Sequence, residues 1–270
     1  MNILATDLDR TLLPNGRWPA DPGAIELFNE LTRRHQTTVV YVTGRNLALT
    51  EAAIDEFGIR HPDILISDVG TAIRRFGDTG WMADDGWDAH VMRTSPQWNA
   101  EGVRAELRSI DGLAEQEREH CGDFKQSYYV EHDARDAILG VVEQRVKGRF
   151  DEVIVYSFDS QSGKGLLDLL PQSATKQTAL EYVAESFAIA KSEVVFCGDS
   201  GNDVFPLTAG FKGVLVRNAD EQLVASVRQA VDANPQLNVY FAQGGHRGLN
   251  GYYTGGVIEG ATHYGLFPED

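Results

Sequence analysis

Short apolar runs alternate with helix-period segments at the start of the chain. Ile3 to Leu8 is a compact apolar stretch ending in acid, as in a buried strand. Asp21-Pro22 then offers a cap and a proline at the first helical turn, and Ile25, Leu27, Phe28 and Leu31 follow at roughly helical spacing. Thr38 to Val42 is a β-branched run. Leu47 to Phe57 has helical spacing and is closed by Gly58, and Ile64 to Ile66 is a further strand. Strand, helix, strand, helix, strand predicts a parallel sheet covered by helices.

From about Gly77 to Ser162 the signals lengthen and mix. Helices are expected over 98–110 and 134–146, and strands over 126–130 and 153–156. A further strand over 166–170 is stopped by Pro171. The alternation then returns, with helices over 178–187 and 221–231 and strands over 193–197 and 213–216. The pattern predicts an α/β protein with a Rossmann-like, doubly wound parallel-sheet core and an inserted α+β unit. The expected division is core at 1–77 and 163–270, insertion at 78–162. The Gly-rich stretch from Gly244 to Gly256 reads as a loop.

Composition narrows the function. With 40 Asp+Glu against 24 Lys+Arg, the 270-residue chain carries a net charge of -16. Nucleic acids and anionic membranes need a basic footprint, so neither is an expected partner. The basic residues are six Lys and eighteen Arg. Salt adaptation and a GC-rich genome explain that imbalance equally well. Cys121 and Cys197 have no disulfide or zinc spacing, and no apolar run reaches membrane-spanning length, so a cytoplasmic protein is expected. None of the seven His has metal spacing, and Cys197 is expected to be inert packing.

Four elements carry chemistry, each at a predicted strand end, where open α/β sheets bind ligands. Asp7 and Asp9 flank Leu8, and two carboxylates so close call for a cation or a shared proton. One can serve as nucleophile or metal ligand and the other as proton shuttle. Thr43-Gly44-Arg45 offers a hydroxyl and a close backbone approach before a helix, a phosphate cradle, though Thr43 or Asn46 could equally be a helix cap. Lys176 opens a helix, where a lone cation is unfavourable unless an anion sits nearby, and Lys164 is its rival for that anion. Asp199 and Asp203, four apart in Gly-Asp-Ser-Gly-Asn-Asp, can complete an oxygen-rich site suited to Mg²⁺, or form a polar turn. Ordinary caps and turns explain each element alone. They do not explain four complementary elements all falling at strand ends of one core.

In this order the elements resemble the four motifs of the haloacid dehalogenase-like phosphatases, and the insertion resembles their type C2 cap. Within that superfamily the sequence is most similar to sucrose-phosphate phosphatases. The likeness rests on Tyr41-Val42-Thr43-Gly44-Arg45, Asp68-Val69-Gly70-Thr71, Lys125-Gln126-Ser127-Tyr128-Tyr129, Ser162-Gly163-Lys164, Asp168-Leu169-Leu170-Pro171 and Cys197 to Asp203. The resemblance implies Asp7 as nucleophile and Asp9 as acid and then base. It implies Thr43, Gly44, Lys176 and Asn202 around the phosphoryl group, so it selects Lys176 over Lys164. Mg²⁺ would be held by Asp7, the Asp9 carbonyl, Asp199 and, through water, Asp203. Arg45, Lys125, Ser127, Tyr128, Ser162, Lys164 and Asp168 are the expected sugar contacts. Trp81, Trp87 and Trp98, placed in the cap, are expected to pack rather than to stack on sugar.

The implied reaction is hydrolysis of a sugar phosphate, sucrose 6-phosphate first and mannosylfructose phosphate second, by a monomer that could associate with a sugar-phosphate synthase. Two readings from other classes are weighed against it. A silent sugar-binding partner of a glycosyltransferase is disfavoured by the intact acids and lysine. A phospho-acceptor receiver is disfavoured by the length and the insertion. Arg10, where the first motif often carries Asn, Gln177, where Gly usually follows the lysine, and the segment 245–254 depart from the pattern.

Overall fold

The computed structural model describes residues 2–159 and 163–268. Its first layer is an eight-stranded sheet. The strands are β1 (Ile3–Thr6), β2 (Thr38–Val42), β3 (Ile64–Ser67), β4 (Ala72–Gly77), β5 (Gly80–Ala83), β10 (Val195–Gly198), β11 (Lys212–Leu215) and β12 (Asn238–Phe241). Their order is β12-β11-β10-β1-β2-β3-β4-β5. The first six in that order run parallel and β4 and β5 antiparallel. The central strands are apolar on both faces, as a sheet covered on both sides requires.

Two buried clusters follow from that. One face packs α6 (Lys176–Ser186), α7 (Val204–Thr208), α8 (Glu221–Ala233) and α3 (Asp85–Thr94) through Ala179, Leu180, Val183, Leu207, Val227, Trp87 and Val91. The other packs α1 (Ala24–Arg34), α2 (Leu47–Phe57) and α9 (Thr254–His263) through Phe28, Leu31, Ala53, Ile54, Val257 and Ile258. Helix α9 lies close to the sheet because it is rich in glycine. A Cβ on Gly260 would come within 2.3 Å of Val214.

A second, antiparallel sheet has the order β6-β7-β9-β8, from β6 (Leu113–Glu115), β7 (Gln126–Val130), β8 (Glu152–Asp159) and β9 (Lys164–Pro171). Helices α4 (Ala100–Leu107) and α5 (Arg135–Val146) cover it through Val103, Leu107, Ile138 and Val142.

Strand pairing differs from the expected division at 78 and 162. Strand β5 pairs with β4 on the large sheet, and α3 buries Trp87 against the core. Strand β9, expected in the core, runs between β7 and β8. Sequence could not show this, because strand partners are set by non-local pairing. Trp87 and Trp81 thus belong to the large sheet's side; only Trp98 packs with the inserted unit. The Gly-rich stretch is a loop only as far as Tyr253, since Gly255 and Gly256 already lie within α9. Among the described residues no helix is long and apolar enough to cross a membrane.

Candidate active site

The site sits at the carboxyl ends of β1, β2 and β10, facing the second sheet. Strand β1 ends at Thr6, so Asp7 and Asp9 lie in the tight turn that follows, where Leu12 and Leu13 donate back to the Leu8 carbonyl. Strand alternation therefore does not orient the two acids. The turn still brings both to one cleft of about 450 Å³, lined also by Arg10, Asn15, Gly44, Arg45, Lys125, Tyr129, Lys164, Asp168 and Asn202.

Lys176 is the hub. The side chains of Thr175 and Thr178 cap the start of α6, leaving the Lys176 side chain to enter the site. Its Nζ, almost wholly buried, lies 3.0 Å from Asp7 Oδ1 and 2.8 Å from Asp203 Oδ1, and it donates to Asn202 Oδ1 at 3.0 Å. Burial opposes the ammonium charge, but Asp203 and Asp7 outweigh it and push its pKa up. For Asp7 burial wins: its carboxyl rises from 3.8 to about 7, although Lys176 pulls the other way. Burial likewise holds Asp199 well above the carboxylate range, against the charge of Arg10.

Asp203 Oδ2 accepts the Asp199 and Ser200 backbone N–H groups at 3.0 and 3.2 Å, which pins the turn after β10. Asp199 Oδ1 accepts from Thr11 at 3.0 Å. Its buried Oδ2 lies 3.2 Å from Arg10 Nε without an aligned hydrogen bond. One oxygen from each of Asp7, Asp199 and Asp203 lies within 4.8 Å of the others, all three residues buried. Three buried acids whose oxygens lie this close suit a hard divalent cation such as Mg²⁺.

Asp9 is held differently. Arg45 grips both its oxygens, Nε to Oδ2 at 2.8 Å and Nη2 to Oδ1 at 2.6 Å, and Asn15 donates to Oδ1 at 2.6 Å. Burial would raise its pKa, but these donors and the Arg45 charge leave it below the usual value. The Asp9 side chain is thus engaged away from the acid cluster, and Arg45 meets Asp9 before it meets any sugar.

The helix-cap question at the second motif is resolved by Asn46, whose Oδ1 accepts from Leu49 N at 2.9 Å. Thr43 is buried, and its hydroxyl accepts the Arg45 N–H at 3.1 Å. In the second sheet, Ser127 donates to Asp168 across the β7–β9 pair. Lys164 Nζ sits 4.3 Å above the Tyr129 ring. Lys125 reaches the core, 3.4 Å from Asp68. Tyr128 is the misplaced expectation. It points into the small unit's own core, at 3% exposure, while its strand neighbour Tyr129 lines the cleft. A one-residue shift along a strand exchanges faces. Ser162 lies outside the described residues. Arg10, Asn15, Gln116 and His120 line the cleft without having been expected to. Asn15 and Gln116 carried no local signal; Arg10 lay inside the first motif.

A parallel sheet with acids, threonine and lysine at its carboxyl edge, roofed by an inserted α+β cap, defines a haloacid dehalogenase-like phosphatase. Comparison with known proteins carries this further. A family model for sucrose-6F-phosphate phosphohydrolase matches residues 1–265, and the chain belongs to that family of phosphoric monoester hydrolases. Over 99% of its length the chain is 36% identical to a protein of Nitrosococcus oceani described as a HAD-like hydrolase, covering 72% of it. It is 31% identical to sucrose-phosphatase 1 of Nicotiana tabacum over 98% of this chain but 60% of that one. It is 28% identical to the mannosylfructose-phosphate phosphatase of Agrobacterium fabrum over 99% and 98%. The structure of the Synechocystis sucrose-phosphatase with sucrose and phosphate superposes with a TM-score of 0.79, at 26% identity and 97% coverage of both chains.

Proposed function

We propose that this chain hydrolyses sucrose 6-phosphate to sucrose and phosphate, in a Mg²⁺-dependent reaction through an aspartyl-phosphate on Asp7. The observation that carries the reading is the buried Lys176 ammonium shared by Asp203 and by Asp7, which itself lines the cleft between the two sheets. An anionic nucleophile can approach an anionic ester only where fixed positive charge neutralises both. Lys176 supplies it, with Asn202, Thr43 and the backbone at Gly44 as further ligands for the phosphoryl oxygens.

Asp7 Oδ attacks phosphorus and the P–O bond to the sugar breaks; Asp9, which takes up a proton once the anionic phosphate binds beside it, delivers that proton to the departing sugar oxygen. Asp9 then accepts a proton from the water that attacks the acyl phosphate, which returns Asp7 as carboxylate. Arg45 and Asn15 keep Asp9 beside the leaving oxygen's path. Asp7, Asp199 and the Asp9 carbonyl are the groups that would hold Mg²⁺, with Asp203 steadying them. Bound there, Mg²⁺ would neutralise equatorial phosphoryl charge.

Tyr129, Lys164 and Asp168 form the cap wall offered to the sugar, with buried Ser127 holding Asp168 from behind. The family model and the tobacco and Synechocystis relatives favour sucrose 6-phosphate. The Agrobacterium relative, matched over nearly its whole length, favours mannosylfructose phosphate as the second reading. A phosphate-release assay across sugar phosphates, with Mg²⁺ and with chelator, decides. Release selective for sucrose 6-phosphate and lost with chelator is expected. Equal release from glucose 6-phosphate refutes the disaccharide assignment, and no release from any ester refutes the phosphatase.

A further inference from the structure

The turn Asp68–Gly70 after β3 touches both phosphate-cradle segments and the cap. We infer that it is a positioning element that makes cap seating and the placement of Thr43 and Lys176 one event. This rests on the phosphatase reading above and deepens it, because it assigns part of the sugar specificity to this turn.

Three successive residues there have positive φ: 54° at Asp68, 64° at Val69 and 109° at Gly70. Asp tolerates that region and Gly accepts it, whereas a β-branched Val in it is a true outlier. Such strain persists only where the surroundings over-determine it. Here they do. The Asp68 N–H donates to the Arg45 carbonyl at 2.9 Å, and the Val69 N–H to the Thr43 carbonyl at 3.0 Å. Gly70 is pressed on the start of α6. A Cβ there would lie 2.2 Å from the Thr175 carbonyl carbon and 2.5 Å from the Lys176 nitrogen. The turn is thus wedged between the backbone that carries the threonine and the backbone that carries the lysine.

Its other side meets the cap. The Val69 side chain packs with Val155 of β8 and Leu170 of β9. Asp68 Oδ1 lies 3.4 Å from Nζ of Lys125, the residue just before β7, and Asp68 Oδ2 accepts from Ser67 Oγ at 3.0 Å. These cap contacts help to hold Val69 in its strained conformation. If the cap lifts they are lost, the turn is free to relax, and Thr43 and Lys176 lose a shared brace. A substrate whose sugar draws the cap down therefore tightens the grip on its own phosphate. Specificity is then expressed in kcat, as expected when binding energy assembles the catalytic site.

The test compares sucrose 6-phosphate with p-nitrophenyl phosphate, an ester too small to engage the cap, for the wild type, Asp68→Asn, Val69→Gly and Gly70→Ala. Thermal melts control for folding. Asp68→Asn and Val69→Gly should lower kcat on the sugar phosphate about tenfold and leave p-nitrophenyl phosphate within about twofold. Gly70→Ala, which pushes on Thr175 and Lys176, should lower both; if it does not fold, the other two variants still decide. An unchanged ratio of the two substrates in Asp68→Asn and Val69→Gly overturns the coupling and leaves the phosphatase reading intact. A wild type that hydrolyses neither ester overturns both.

Discussion

Lys176 Nζ lies 3.0 Å from Asp7 Oδ1 in a pocket where both side chains are almost wholly buried. Removing one partner of such a pair leaves the other charge unpaired. Lys176→Met should therefore lower stability by about 3–5 kcal/mol and abolish measurable turnover. Adding Asp203→Asn to it should recover part of the stability and none of the activity. Thermal melts and phosphate release read the two effects separately, and a Lys176→Met protein as stable as the wild type would contradict the pairing.

Proton linkage at the same cluster has a definite sign. Burial raises Asp7 from 3.8 to about 7, and Asp199 moves the same way. The folded metal-free protein thus binds more protons than the unfolded chain across that window. The contribution of these two acids to stability falls as pH rises from about 4 to about 7. Asp9, held low by Arg45, contributes in the opposite sense: stability present above its unfolded pKa and lost as pH falls through its folded one. Mg²⁺ should recover stability at pH 7 more than at pH 5, and its binding near pH 6.5 should release protons. Titration calorimetry in buffers of different ionisation enthalpy measures that release. Proton uptake would contradict it.

Arg45 grips both oxygens of Asp9. Without it the Asp9 carboxyl should titrate higher. Arg45→Ala should lower kcat by about tenfold or more and move the alkaline limb of the kcat/KM profile, on which Asp9 must still carry its proton, to higher pH. A profile that stays in place would mean that Arg45 serves the sugar and not Asp9.

Away from the site, Gly260 lets α9 lie against β11. A methyl there meets Val214 at 2.3 Å, so Gly260→Ala should cost about 1–3 kcal/mol, with Val214→Ala recovering part of it. Denaturant melts of the two variants and the pair check this.

The sequence shows the parts of this site that depend on short range. Asp7, Thr43, Lys176 and Asp199 each stand at a strand or helix end that a few residues suffice to mark. Features that join distant segments were not legible. Arg10 meeting Asp199, Lys125 meeting Asp68 and Trp87 packing under the large sheet all depend on non-local packing. The cap boundary shifted for the same reason, since β9 belongs to whichever strands pair with it. Tyr128 and Tyr129 show the limit within one element: both suit a strand, and only the sheet's register decides which faces the cleft.

The central claim is that Asp7 carries the phosphoryl group. It is tested most directly by acid-quenching the enzyme during turnover of phosphate-labelled sucrose 6-phosphate with Mg²⁺ and mapping protein-bound label. The account predicts hydroxylamine-sensitive label on the peptide containing Asp7, absent from Asp7→Asn, which should fold and be inactive. Label on another residue, or substantial turnover by Asp7→Asn, would contradict it.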